Sequence, residues 1–138
     1  MKRTAILAIT LAAAAALVAA APGARVESLP QQLSATGLFV PGSTRLAAGA
    51  LAFSPQYPLW SDGTRKRRWI QLPPGGSIDA SRVDAWEFPV GTKVWKEFAF
   101  GKAIETRMIE RVADGSWRFA TYVWNADGSD AMLAPEDG

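Results

Sequence analysis

The chain contains neither cysteine nor histidine, and these two absences remove much of the usual catalytic chemistry. Ser-His-Asp and Cys-His nucleophilic catalysis, His-ligated zinc or haem, and thiolate metal sites are all excluded within this chain. An enzyme built from it would have to rely on Asp and Glu. Also missing is a long, strongly apolar run. The only candidate, Ile6 to Ala20, is short and rich in alanine, whereas a membrane-spanning helix needs roughly 20 strongly apolar residues. This run follows Lys2 and Arg3 and is succeeded by small residues, which is the three-part pattern of a secretory signal peptide. Cleavage is expected between Ala20 and Ala24, with Pro22 disfavouring the bond after Ala21. The protein is therefore expected to be periplasmic or secreted, from a Gram-negative-type bacterium, with no stable membrane span after cleavage.

Excess charge is missing too. The formal net charge is +2, and Lys2 and Arg3 of the leader account for it, because every acidic residue lies beyond Ala24. A neutral exported domain has no long-range field to gather polyanions, so no nucleic-acid partner is expected. Residues 25–138 suffice for one domain, which buries roughly 60–70% of its unfolded surface. Without disulfides that domain needs a good core, and six tryptophans with six phenylalanines can supply one.

The chain divides into a signal peptide (1–24), an extended lead-in (25–52) and a β domain (53–138). The lead-in carries one short strand or helical turn around Leu33–Val40. Every aromatic residue except Phe39 falls between Phe53 and Trp124, so the core is expected there. Short strands between turn residues dominate this region. Arg68–Leu72 is a candidate strand ended by Pro73-Pro74-Gly75-Gly76, and Ala85–Phe88 is another, stopped by Pro89 and Gly91. Thr92–Phe100, Ala103–Val112 and Ser116–Trp124, joined through Gly101-Lys102 and Ala113-Asp114-Gly115, predict a three-stranded antiparallel meander. In its second strand Ile104, Thr106, Met108 and Val112, broken by Glu110, alternate with Glu105, Arg107 and Arg111, as on a sheet with one wet side. In the third, Trp117 and Phe119 occupy one face and Tyr122 and Trp124 the other. That predicts cover on both sides by a second sheet or a long loop. The expected fold is mainly β, an antiparallel sheet or sandwich, with Trp117 and Phe119 in its core.

The run Arg65-Lys66-Arg67-Arg68 between Trp60 and Trp69 is the most unusual feature. Interleaved basic and aromatic residues can bind nucleic acid, but neutrality and export argue against that. Two readings remain. One is a solvated strand start, with arginine stems over rings and heads paired to Asp62, Asp84 or Glu87, so that neutralising the run barely alters stability. The other is contact with a protein partner or a following domain of the same polypeptide, arginine and tryptophan being enriched at interface centres. The candidate interface residues are Trp60, Asp62, Arg65, Lys66, Arg67, Arg68 and Trp69.

Other constellations compete more weakly. Glu97 and Glu105 on adjacent strands could face each other across the Gly101-Lys102 turn as a glycosidase-like carboxylate pair, although cross-strand salt bridges are the commoner use. Asn125-Ala126-Asp127-Gly128-Ser129-Asp130 resembles the start of a calcium loop but lacks the later bidentate Glu, and an Asx turn is the ordinary use of such residues. Six tryptophans raise a carbohydrate or small-ligand binding face as an alternative function.

The segments PLWSDGTRKRRWIQLPPG, WEFPVGTKVWKEFAF and IETRMIERVADGSWRFATYVWNADGSDAMLAP, spanning Tyr57 to Pro135, together resemble a family of exported, largely uncharacterised bacterial proteins described as c-type cytochrome-like or haem-region proteins. The resemblance implies a signal peptide, this domain and then a Cys-x-x-Cys-His haem-attachment segment. That segment is absent here, so no cofactor is expected in this chain, and haem only in a downstream segment. The chain is then either a fragment of a longer protein or a stand-alone accessory domain. The resemblance implies an interaction module in a periplasmic electron-transfer context, without enzymatic activity, and assigns no catalytic or ligand residue.

Overall fold

The computed structural model describes residues 28–136, and the expected signal-peptide helix lies outside them. The domain is mainly β. Its strands are β1 (Leu51–Ala52), β2 (Arg65–Gln71), β3 (Lys93–Phe100), β4 (Lys102–Arg111), β5 (Trp117–Trp124) and β6 (Ala131–Leu133), and a 3-10 turn at Leu33–Thr36 precedes them. The six strands form one open sheet in chain order, every neighbouring pair antiparallel. Among the described residues no helix is long and apolar enough to cross a membrane.

The meander forms where turn chemistry and alternation place it. Gly101 and Gly115 adopt positive φ (72° and 81°), the left-handed backbone that glycine enters without steric cost. In the second of these turns Asp114 Oδ1 accepts a hydrogen bond from the Ser116 amide. The strand predicted from Arg68 begins earlier, so that the basic run directly follows the Ser61–Thr64 turn. It lies inside β2, which begins at Arg65 and pairs along its full length with β3. Ala85–Phe88 forms no strand and is reduced to a single bridge between Asp79 and Glu87, flanked by Pro89 and by Arg82–Asp84.

One face of the sheet is covered. Trp69, Trp95, Met108, Ala120, Tyr122 and Ala131 point into it, and the lead-in lies across them with buried Leu33, Leu38 and Phe39. Each large apolar side chain taken out of water in this way contributes about 1.5–3 kcal/mol. The lead-in is thus half of the core, which aromatic content does not reveal because three aliphatic or single-ring residues are enough to cap a narrow sheet. It is also hydrogen-bonded down: Tyr122 donates its phenol proton to Pro30 O (3.0 Å), Trp95 Nε1–H to Thr36 Oγ1 (3.1 Å), and Lys93 Nζ to Thr36 O (3.0 Å). Asp130 receives the Ser34 hydroxyl and amide, at 2.6 and 3.1 Å.

The second face has no sheet over it among the described residues, and Phe88 packs edge-on against Trp117 there at 5.7 Å between ring centroids. The predicted double cover of β5 fails there: Phe119 is 70% exposed and Trp117 only half-buried. The architecture is a single sheet with a lid, not a sandwich, and the core expected around Trp117 and Phe119 sits instead at Trp95 and Tyr122. Alternation allots residues to two faces but does not say which of them finds a cover.

The buried phenol makes this core pH-sensitive at the alkaline end. Desolvation pushes Tyr122 up from its ordinary 10.0 to about 12, with smaller opposing influences from Arg118 (lowering) and Glu110 (raising). The folded state then holds this proton more tightly than the unfolded chain, so the stabilisation is complete below pH 10 and lost as pH rises through about 12. Tyr122→Phe should flatten the fall in unfolding free energy across that window, measured by urea titration at stepped pH. An unchanged slope would refute this role for Tyr122.

Candidate functional site

Strand periodicity splits the basic run. Arg67 and Trp69 point to the covered face, where Arg67 stands opposite Glu97 and Trp69 opposite Trp95. Lys66 and Arg68 point the other way. Arg67 donates from Nε and Nη2 to the two oxygens of Glu97, at 2.8 and 2.9 Å, a bidentate pair, and its guanidinium lies 5.3 Å from the Trp69 ring centroid. The Glu97 side chain is 2% exposed and that of Arg67 55%. Arg67 is therefore a structural partner to a buried carboxylate. The expected acids are not used this way: Glu87 pairs with Arg82, and neither Asp62 nor Asp84 appears in an ion pair among the described residues. Asp62 is exposed, with φ 48°, in the turn that Thr64 closes by donating its amide to Ser61 O (2.8 Å). Arg65, at the start of β2, is also exposed. Because β1 pairs only with Ile70 and Trp69, the Arg65–Arg67 half of β2 is an edge, and a row of cations there discourages pairing with another chain.

The two glutamates do not form a pair. Glu97 lies opposite Thr106, and Glu105 opposite Phe98, because the register shifts at Phe98/Ala99 and Ile104 becomes the extra residue of a β-bulge. Without the bulge Glu97 would meet Glu105. A one-residue slip moves a side chain to the other face, so Glu97 is buried under the lid while Glu105 stands on the open side, bound to Arg107 (2.7 Å). No acid–base carboxylate pair is assembled at this position. Asp127 and Asp130 act in the β5–β6 turn, where Asp127 Oδ1 accepts from the Ser129 amide and hydroxyl and Asp130 holds the lid. No group of three or more Asp or Glu able to hold a metal occurs among the described residues.

What the fold does assemble is a row of like charges. Arg68 lies directly opposite Lys96, and Lys96 directly opposite Arg107, on three consecutive strands. Cations facing each other across a sheet are destabilising by roughly 0.2–1 kcal/mol per pair. The acids that could have relieved them are used on the covered face: Glu97 by Arg67, and Glu110 by Lys93 and Arg118. Glu105 alone serves the open face of β4. The Lys96 ammonium is held below the ordinary lysine value, first by partial desolvation and then by the positive charges of Arg68, Lys66 and Arg107, against the opposing pull of Glu105. Phe98 lies between two members of the cluster, 4.6 Å from Lys96 Nζ and 4.9 Å from Arg107 Cζ.

These cations floor a cleft of ≈ 490 Å³ with Phe98, and the segment Pro55–Ser61 forms its wall. That size lies within the roughly 300–1,000 Å³ of small-ligand pockets. Lys66 Nζ donates to Leu59 O (2.6 Å) and ties the wall to β2. Tyr57, Leu59 and Trp60, each more than 80% exposed, line the wall. Of the seven candidate residues, the cleft gathers Trp60, Lys66 and Arg68, and the other four stand outside it. It adds Lys96, Arg107, Phe98 and Tyr57, which sequence reasoning passed over. For Lys96, Phe98 and Arg107 the signal was present as outward positions of the predicted strands, but aligning them across the sheet requires the bulge, while Tyr57 lies outside every strand.

The tryptophans do not make a platform. Trp69 and Trp95 are buried, Trp117 and Trp124 half-buried, and Trp86, 55% exposed, is not part of the cleft. The chain finds no match among protein-family models, curated proteins or solved structures.

Proposed function

We propose that the chain is an exported, non-catalytic β domain that works as an interaction module, docking the bare side of its sheet on a haem-bearing electron-transfer module. The observation that carries this reading is the set of exposed apolar side chains on the open face. Phe119 is 70% exposed, Val123 50% and Met132 43%. Val123 lies opposite Met132, Phe119 stands farther along the same strand beyond Thr121, and Phe100, 66% exposed, stands on the same side at the hairpin end of β3. Several large apolar side chains left in water on one side of a sheet mark a protein contact. The nature of the occupant comes from the resemblance of Tyr57–Pro135 to c-type cytochrome-like proteins, in which this domain precedes the haem segment. Trp60, in the cleft wall, and Trp117, under Arg111, stand apart and form no continuous platform, which favours this over a saccharide-stacking surface built from several tryptophans.

The experiment is a titration of the isotopically labelled chain with a purified small c-type cytochrome, followed by amide chemical shifts. Perturbations are expected along β5 and β6, at Phe119, Val123 and Met132, and should vanish in Phe119→Asp. That variant should retain its fold with a loss of about 1 kcal/mol or less, since exposed strand positions are weakly constrained. Perturbations confined to the lid, none at millimolar cytochrome, or self-association through the same strands would each overturn the reading.

A further inference from the structure

The open face also carries the cationic row. Arg68, Lys96 and Arg107 stand in one cross-strand row, close enough for three side chains to reach one group between them. Among the described residues neither Arg68 nor Lys96 forms an ion pair. Arg107 is bound by Glu105 through Nε only, leaving the terminal nitrogens of its guanidinium to other acceptors. Guanidinium forks match the planar oxygens of carboxylate and the tetrahedral oxygens of phosphate or sulfate. Cations facing one another across the sheet repel, an influence on the Lys96 ammonium second to its partial desolvation, and a bound anion would relieve that repulsion. Beside it the tethered wall holds Tyr57 and Trp60 in the open, where a ring can rest on them.

We propose that this cleft binds a small organic oxyanion, its carboxylate, sulfate or phosphate held by Arg68, Lys96 and Arg107 and its ring-bearing body lying against Tyr57 and Trp60. The site shares the open face with the docking patch, Arg107 standing opposite Thr121 between Phe119 and Val123, but its argument is the charge row and the aromatic wall and not the exposed apolar side chains. A nucleic acid fits less well, because the cleft takes one small ligand and the chain has no excess charge beyond its first three residues.

The test is thermal unfolding together with tryptophan fluorescence, at constant ionic strength set with sodium chloride. The probes are inorganic sulfate and phosphate, glucuronate and glucose 6-phosphate, with glucose as the neutral control. Both phosphate probes and glucuronate should raise the unfolding temperature beyond chloride, and glucose should not. The ring-bearing anions should bind several-fold more tightly than the inorganic ones, and Trp60→Ala should remove that advantage. Arg68→Gln with Lys96→Gln should weaken every anion at least tenfold, while the unliganded double variant unfolds at the same or a higher temperature. Equal anion responses of parent and double variant would overturn the proposal, as would a glucose response matching that of glucuronate. A short single-stranded oligonucleotide binding more tightly than all four anions would replace the small ligand. No cytochrome enters this titration, so its failure leaves the docking reading to its own experiment.

Discussion

Trp95→Ala should lower the unfolding free energy by about 3–5 kcal/mol, the range for large aromatic truncations in cores. Trp95 is fully buried at the centre of β3, opposite Trp69 on one side and Met108 on the other, and under the lid. Its loss opens a cavity between sheet and lead-in that a β strand paired on both edges cannot close. It also removes the indole donor to Thr36 Oγ1, a buried atom that joins the lid to the sheet. Against a typical total of roughly 5–15 kcal/mol, this is a large share of the fold. Trp95→Phe separates the two contributions, since it keeps most of the packing and drops the hydrogen bond, for a smaller loss. Urea unfolding of both variants beside Phe119→Ala makes the measurement. The exposed Phe119 should cost under about 1 kcal/mol. Equal losses at positions 95 and 119 would contradict the assignment of covered and open faces.

Arg67→Gln should cost roughly 2–3 kcal/mol, somewhat under the 3–5 of a fully buried pair because the guanidinium is partly in water. The same change at Lys66 or Arg68 should stay within about 0.5 kcal/mol. Four adjacent cations in one strand thus behave differently, and alternation is the reason. Arg65 and Arg67 share the covered side of the sheet, but only Arg67 engages a buried acid, bidentate to a carboxylate 2% exposed. Removing it leaves that charge buried without a partner. Combining Arg67→Gln with Glu97→Gln should therefore recover most of the loss, and a double-mutant cycle reads the coupling directly. Additive losses would mean that the pair is not coupled. The expectation that neutralising the whole run is harmless does not hold at this one position, since the partner is Glu97 on β3 and not an acid close in sequence.

The same two strands show where sequence reasoning stops. The reach of β3, β4 and β5 was legible, as was the turn at Gly101, because period-two alternation and glycine punctuation are local. The partnership of Glu97 with Arg67 was not, since it depends on the residue count across the β3–β4 hairpin. Ile104 adds one residue to β4, and that single insertion separates the two glutamates and sets Lys96 against Arg107. The lid was missed for another reason. Leu33, Leu38 and Phe39 carry no periodic pattern, and their burial comes from the long-range bonds of Tyr122, Trp95 and Asp130.

By itself, then, the sequence determined that the domain is an antiparallel β meander and that no histidine or cysteine chemistry operates within this chain, because composition and alternation are properties of single residues and near neighbours. The tertiary structure alone decided which side of the sheet is covered, which of four consecutive cations is structural, and that three others, from three strands, stand in one row. Those outcomes depend on register and on where the lead-in crosses the sheet, and a chain reveals neither until distant segments compete for the same apolar surface.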